Sequence, residues 1–161
     1  MTKVEKKIEA FLKKNGYDYE PFQYVYGSGF CVDCCNYQDG RFKEIDWKRY
    51  DELLKRVKRL KGVRVERRGY YKLVLSDEKL ALESRLNNCD RLSEIECIGF
   101  DDRTKEMQAC VVTYLLERVN EAENAVFKLA EYATGGEIAA YCKVHDRILD
   151  RYRGCLDKYK A

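Results

Sequence analysis

Asp39-Gly40 stands between two runs with the composition of β-strands, Phe30 to Tyr37 and Phe42 to Trp47. An Asp-Gly pair in that setting is a strong signal for a tight hairpin, because glycine supplies the positive φ that the turn demands. The two runs are therefore expected to lie side by side and antiparallel. Alternation along 42–48 puts Phe42, Glu44, Asp46 and Lys48 on one side of the later strand, and Lys43, Ile45 and Trp47 on the other. Folding back at the turn carries Asp33, on the earlier strand, towards Asp46.

The flanking pattern sets the element order. Residues 3–15 carry Val4, Ile8, Phe11 and Leu12 on one helical stripe and stop at Asn15-Gly16. Residues 22–26 alternate aromatic and other side chains, which reads as a strand whose start Pro21 limits. Gly27-Ser28-Gly29 reads as a flexible turn. Residues 49–60 read as a basic amphipathic helix with Tyr50, Leu53, Leu54, Val57 and Leu60 inward, capped by Gly62. Val63 to Glu66 and Tyr70 to Leu75 read as a second hairpin around Arg68-Gly69. The order through residue 66 is thus helix, three strands, helix, strand, with an expected mixed sheet and helices over its faces.

Beyond the second hairpin the pattern changes. A short helix is expected from Asp77 to about Leu86, with 87–100 irregular. Met107, Val111, Leu115, Val119, Ala122, Val126 and Leu129 then recur at helical spacing over 102–132. Ile138, Tyr141, His145, Ile148, Tyr152 and Cys155 do the same over 137–158, after a break at Gly135-Gly136. This tail reads as an antiparallel helical hairpin. No internal repeat is visible. Two domains are expected, an α/β core over 1–76 and a helical appendage over 77–161 that mediates dimerisation or partner contact.

Charge is unevenly spread. The 161 residues carry a net +3, yet 41–72 hold thirteen Lys/Arg against five Asp/Glu, a balance of +8, and the remainder balances at −5. A basic middle in an otherwise acidic chain suits a polyanion partner, with a solvated helix face as the competing reading. The 37% charged fraction, one proline and three glutamines point to a thermophile. Met1 to Phe11 is charged and lacks the apolar centre of a signal peptide. The longest nearly apolar run, Ala109 to Leu116, is too short to span a bilayer. The chain reads as soluble and intracellular, in the cytoplasm, with no membrane partner.

Two carboxylates and an amine drawn together on adjacent strands have a definite chemistry. Asp33 and Asp46, with a backbone carbonyl and waters, suit Mg²⁺ or Mn²⁺. Such a metal lowers the pKa of a bound water and stabilises charge on a phosphate. Lys48 would orient or deprotonate that water, and Glu5 on the first helix would complete the metal shell or hold a water. A solvated strand face is the plain alternative.

The element order and spacing together resemble the PD-(D/E)xK nuclease superfamily, and within it the archaeal Holliday-junction resolvases. The resemblance covers about residues 3–75 and rests on Glu5 in the first helix, Gly16-Tyr17 at its end, Gly27-Ser28 before Asp33, and the interval from Asp33 to Asp46-x-Lys48. It implies a restriction-endonuclease-like α/β core and a divalent-metal-dependent endonuclease acting on DNA, branched DNA included. Asp33 and Asp46 would bind the metal, Glu5 and Lys48 would join them in catalysis, and Ser28, Arg67 and Arg68 would contact substrate. Departures are Val32 where the family favours proline, Asp46 for its usual glutamate, and a near-absent loop between the third strand and the second helix. The alternative is a non-catalytic nucleic-acid- or protein-binding module that keeps the nuclease-like fold. A third reading is a helical interaction module whose N-terminal resemblance is accidental.

Eight cysteines and thirteen tyrosines offer further candidates. Cys31-x-x-Cys34 with Cys142-x-x-His145 has the ligand types of a zinc site, although packed, small apolar cysteines are the favoured reading. Cys31, Cys34, Cys89 and Cys97 are four thiols for an iron–sulfur cluster, in no standard spacing. Cys89, Cys97, Cys110, Cys142 and Cys155 are available for disulfides. Tyrosines 17, 19, 24, 26, 70 and 71 are read as packed strand residues rather than base-stacking ones. Arg64, Arg67, Arg68 and Lys72 are read as phosphate contacts or edge-strand charges.

Overall fold

The computed structural model describes residues 1–24, 27–38, 40–69, 71–96 and 105–160. The chain divides into two compact units, Met1–Ala81 and Leu82–Ala161. The division falls inside a helix, later than the expected boundary after residue 76.

The first unit runs α1 (Lys3–Lys14), β1 (Tyr19–Tyr24), β2 (Gly27–Asp33), β3 (Cys35–Gln38), β4 (Arg41–Ile45), α2 (Trp47–Val57), β5 (Val63–Arg68) and β6 (Lys72–Asp77). Four strands make a sheet in the order β1-β2-β6-β5, while β3 and β4 pair as a separate two-stranded ribbon. The class is mixed α/β, as expected. The sheet itself is antiparallel throughout, not mixed. The second hairpin explains this: β5 takes the outside and β6 returns beside β2, so no parallel pair is needed. The result is a topological repeat that the amino-acid pattern conceals, with α1-β1-β2 and α2-β5-β6 each a helix followed by a hairpin.

Both helices cover one face of this sheet. Register puts Phe30, Val32, Leu73 and Leu75 on a common side. There they join Ile8 and Leu12 of α1, and Tyr50, Leu53 and Val57 of α2, in one buried cluster. The apolar stripes foreseen for both helices are the ones that pack. Pro21 lies within β1 rather than at its start, which an edge strand tolerates because only one of its sides is paired. Gly40 has φ 72°, as the expected turn requires, and Asp39 lies outside the described residues.

Two local expectations are corrected. Gly27-Ser28-Gly29 is the start of β2 rather than a turn. A Cβ on Gly29 would collide with the carbonyl oxygen of Leu75 and stand 3.1 Å from the Cβ of Ser76, so glycine here permits close strand approach. The run from Phe30 to Tyr37 is not one strand but two. At Cys34 the chain leaves the four-stranded sheet: its N–H donates to the Tyr71 carbonyl (3.0 Å), and its carbonyl accepts from the Asp46 N–H (2.8 Å).

The second unit is helical, and the three helices expected beyond the second hairpin are present, the first of them longer than expected. α3 (Glu78–Glu96) runs on through the stretch read as irregular, of which 97–100 lie outside the described residues. Asn87 and Asn88 disfavour helix locally, but Leu82, Leu86 and Cys89 form a buried stripe that overrides them. They pack with Leu115, Val119, Ala122 and Leu129 of α4 (Lys105–Ala130) and with Ile148 and Tyr152 of α5 (Gly135–Lys160). Asp90 of α3 holds the guanidinium groups of Arg147 and Arg151. The two helices are separate as expected, but Gly135 and Gly136 belong to the first turn of α5, which starts two residues before the expected 137. Thr134 and Glu137 form its cap, with the Thr134 N–H and hydroxyl both donating to the Glu137 carboxylate (2.9 and 3.1 Å).

Candidate functional site

The three acids expected to serve a metal each accept a backbone N–H. Glu5 is the third residue of a capping box on α1: its carboxylate takes the Thr2 N–H (2.7 Å), and the Thr2 hydroxyl takes the Glu5 N–H (3.1 Å). Its other oxygen accepts from the Ser28 hydroxyl (2.9 Å). Asp33 accepts the Cys35 N–H (3.0 Å) and the Tyr37 hydroxyl (2.9 Å), with the Lys72 ammonium 3.8 Å away. Asp46 caps α2 through the Arg49 N–H (2.9 Å).

This corrects the strand geometry on which a shared metal pocket depended. Asp46 is not on a strand, because its carboxylate starts a helix, and Lys48 is an exposed residue of that helix. Asp33 shares the face of Lys72, the side away from α1 and α2. Asp46 heads a helix packed on the opposite face, and the fully buried Cys34 lies between the two in the chain. Among the described residues no group of three or more His, Cys, Asp or Glu side chains is placed to hold a metal ion.

The substrate candidates also separate. Ser28 is tied to Glu5 on the helix-covered side. The Arg67 guanidinium lies 6.0 Å from the Tyr50 ring, and that of Arg68 lies 4.5 Å from the Phe22 ring. Arg67 and Arg68 are neighbours on β5 and so point to opposite faces. The zinc reading fails at its first half, because Cys31 and Cys34 lie on opposite sides of the sheet: Cys34 is in the core, and burial pushes its thiol up to about 11. Cys110 and Cys142 are exposed thiols. Cys97 and the side chain of Cys155 lie outside the described residues, as do Tyr26 and Tyr70.

The structure concentrates positive charge on the outer side of the helical layer. Residues 1–18 and 46–61 hold twelve Lys/Arg and six Asp/Glu. Of those acids Glu5 is buried, and Glu9 is paired with Lys13 at 2.9 Å. Arg56 reaches the Asn15 side chain (2.7 Å) and Arg49 the Gly16 carbonyl (3.1 Å), which joins α2 to the end of α1. Lys3, Lys6, Lys7 and Lys14 of α1 are exposed. So are Lys48 and Lys55 of α2, and Lys58, Arg59 and Lys61 after it. These nine side chains have no hydrogen-bond or ion-pair partner among the described residues.

A second feature is the β3–β4 ribbon. Its strands present almost no buried residue, and Tyr37 and Phe42 are 55% and 56% exposed. The Tyr37 and Phe42 rings meet edge-on at 6.5 Å, and Phe42 lies 6.3 Å from Tyr71. Lys72 stands 5.6 Å from the Tyr71 ring. Gln38, Arg41, Phe42 and Lys43 line a recess of about 500 Å³ beside them. The hydrogen bond to Asp33 pushes the Tyr37 phenol up to about 12.

The basic helix α2 was legible in the amino-acid pattern, but the contribution of α1 and the exposure of Tyr37 and Phe42 were not. One signal existed for the ribbon: Arg41 to Glu44 puts charge on both sides of a strand, which does not suit packing on either face. No family model, curated protein or solved structure matches the chain.

Proposed function

We propose that Met1–Ala81 is a nucleic-acid-binding module that grips the phosphate backbone of DNA with the outer side of α1 and α2. The supporting observation is the set of nine exposed cations on α1, on α2 and just after it that have no hydrogen-bond or ion-pair partner among the described residues. Lysines already neutralised by neighbouring acids have less to gain from phosphate. These nine release counterions from the polyanion on contact, which is the main source of sequence-independent affinity. Asp51 and Glu52 on α2 reduce the field but do not cancel it. This is the non-catalytic alternative to the metal-dependent endonuclease, and it is favoured because Glu5 and Asp46 cap helices while Asp33 holds the Cys35 N–H and the Tyr37 hydroxyl.

Fluorescence anisotropy with a labelled DNA duplex across a salt series tests the proposal. Each phosphate contact contributes about −0.9 to the slope of log affinity against log salt. Replacing Lys55, Lys58, Arg59 and Lys61 together by alanine should therefore flatten the slope by up to about 3–4. Absence of binding, or an unchanged slope, refutes it. The same protein incubated with Mg²⁺ or Mn²⁺ and linear or branched DNA probes the endonuclease reading. Cleavage abolished by Asp33→Ala and by Lys48→Ala would restore that reading.

A further inference from the structure

We infer that the Tyr37–Phe42–Tyr71 cluster on the β3–β4 ribbon is a stacking platform for unpaired nucleobases, with Asp33 as its positioning residue. The inference rests on the nucleic-acid reading above and names the part of the ligand that the helices do not read. Two rings on a two-stranded ribbon are more than half exposed, an arrangement that water disfavours and that a flat apolar partner relieves. The rings touch one another and Tyr71 but leave faces uncovered. Nucleobases of every sequence have a π-face to offer such rings.

Charge complementarity selects this occupant. Arg41 and Lys43 are exposed on the same ribbon, and Lys72 stands beside Tyr71. A single strand whose bases lie on the rings would carry its phosphates past these cations. Glu44 is the acid on β4, and it is engaged by the Asn36 amide at 3.5 Å.

Asp33 sets the geometry without touching a base. Its carboxylate accepts the Cys35 N–H, which holds the bend where the chain leaves the main sheet. The same carboxylate accepts the Tyr37 hydroxyl and so fixes one ring of the cluster. The acid that the amino-acid pattern marked for a metal thus aims an aromatic side chain.

The test uses the full chain and a short single-stranded oligonucleotide carrying 2-aminopurine, whose fluorescence is quenched on stacking. Wild type should bind it with quenching. Phe42→Ala should weaken single-strand binding by roughly tenfold and remove most of the quenching, while duplex affinity and the melting transition stay as they were. Phe42→Trp should restore both signals, which a purely structural role would not predict. Asp33→Asn should reduce quenching more than affinity, because Tyr37 loses its anchor. If wild type binds duplex but Phe42→Ala leaves single-strand binding and quenching intact, the stacking platform is refuted and the phosphate-gripping module stands. If wild type binds neither oligonucleotide, both are refuted.

Discussion

Replacing Glu5 separates a cap from a catalytic group. The residue is only 6% exposed, and its carboxylate ties the Thr2 N–H to the Ser28 hydroxyl. Thr2 in turn donates its hydroxyl to Asp77 (2.7 Å), which is 7% exposed and accepts the Lys79 N–H (3.0 Å). The start of α1, the beginning of β2 and the start of α3 are therefore linked through two buried acids. A hydrogen bond to a charged group contributes about 1.5–3 kcal/mol, and losing a helix cap costs about 1 kcal/mol. Water recovers part of this at Ser28, which is not fully buried. Glu5→Ala should then destabilise the first unit by roughly 2–4 kcal/mol, and Glu5→Gln, which keeps shape and one acceptor, by about 1 kcal/mol. Trp47 is the only tryptophan and lies in this unit, so its fluorescence reports the unit's unfolding. With a urea dependence of about 1–2 kcal/mol per M, the Glu5→Ala midpoint should fall by about 1–4 M. An unchanged midpoint for Glu5→Ala would refute the capping role and reopen a role for this carboxylate in chemistry.

Two further outcomes follow from packing and titration. Gly29→Ala forces a Cβ onto the Leu75 carbonyl and should cost about 3 kcal/mol or more; a thermal melt matching wild type would show that β2 and β6 are not held this closely. Cys34 is fully buried with its thiol pushed up to about 11 by burial, whereas Cys110 and Cys142 are exposed. Maleimide labelling with peptide mapping should modify Cys110 and Cys142 in the folded protein and Cys34 only after denaturation. A thiol whose folded pKa exceeds its unfolded value of about 9 contributes stability that is complete below that value. The urea midpoint should therefore hold up to about pH 9 and fall towards about pH 11, and Cys34→Ala should shrink the fall. A midpoint flat across that range would contradict the burial of the thiol.

Periodicity alone determined much of this protein. Ile8 and Leu12, then Tyr50, Leu53 and Val57, recur at helical spacing and do pack inward. Both hairpins were legible because glycine after Asp39 and Arg68 marks a turn that few other residues make. These signals are local: a stripe or a turn is decided by residues a few positions apart. The break between the last two helices was equally local, and the Thr134-x-x-Glu137 cap places the start of α5 at Gly135.

Only the tertiary structure decided which strands meet and what each acid does. Nothing near Cys34 signals that the chain leaves the sheet there, since its last bond to β6 runs to Tyr71 and its first bond along the ribbon to Asp46. Strand pairing is non-local, and the antiparallel place of β6 beside β2 follows from hairpin geometry rather than from either strand's composition. A carboxylate is equally suited to a metal, a cap or an ion pair until its nearest donor is known. For Glu5, Asp33 and Asp46 that donor is a backbone N–H, placed by the fold.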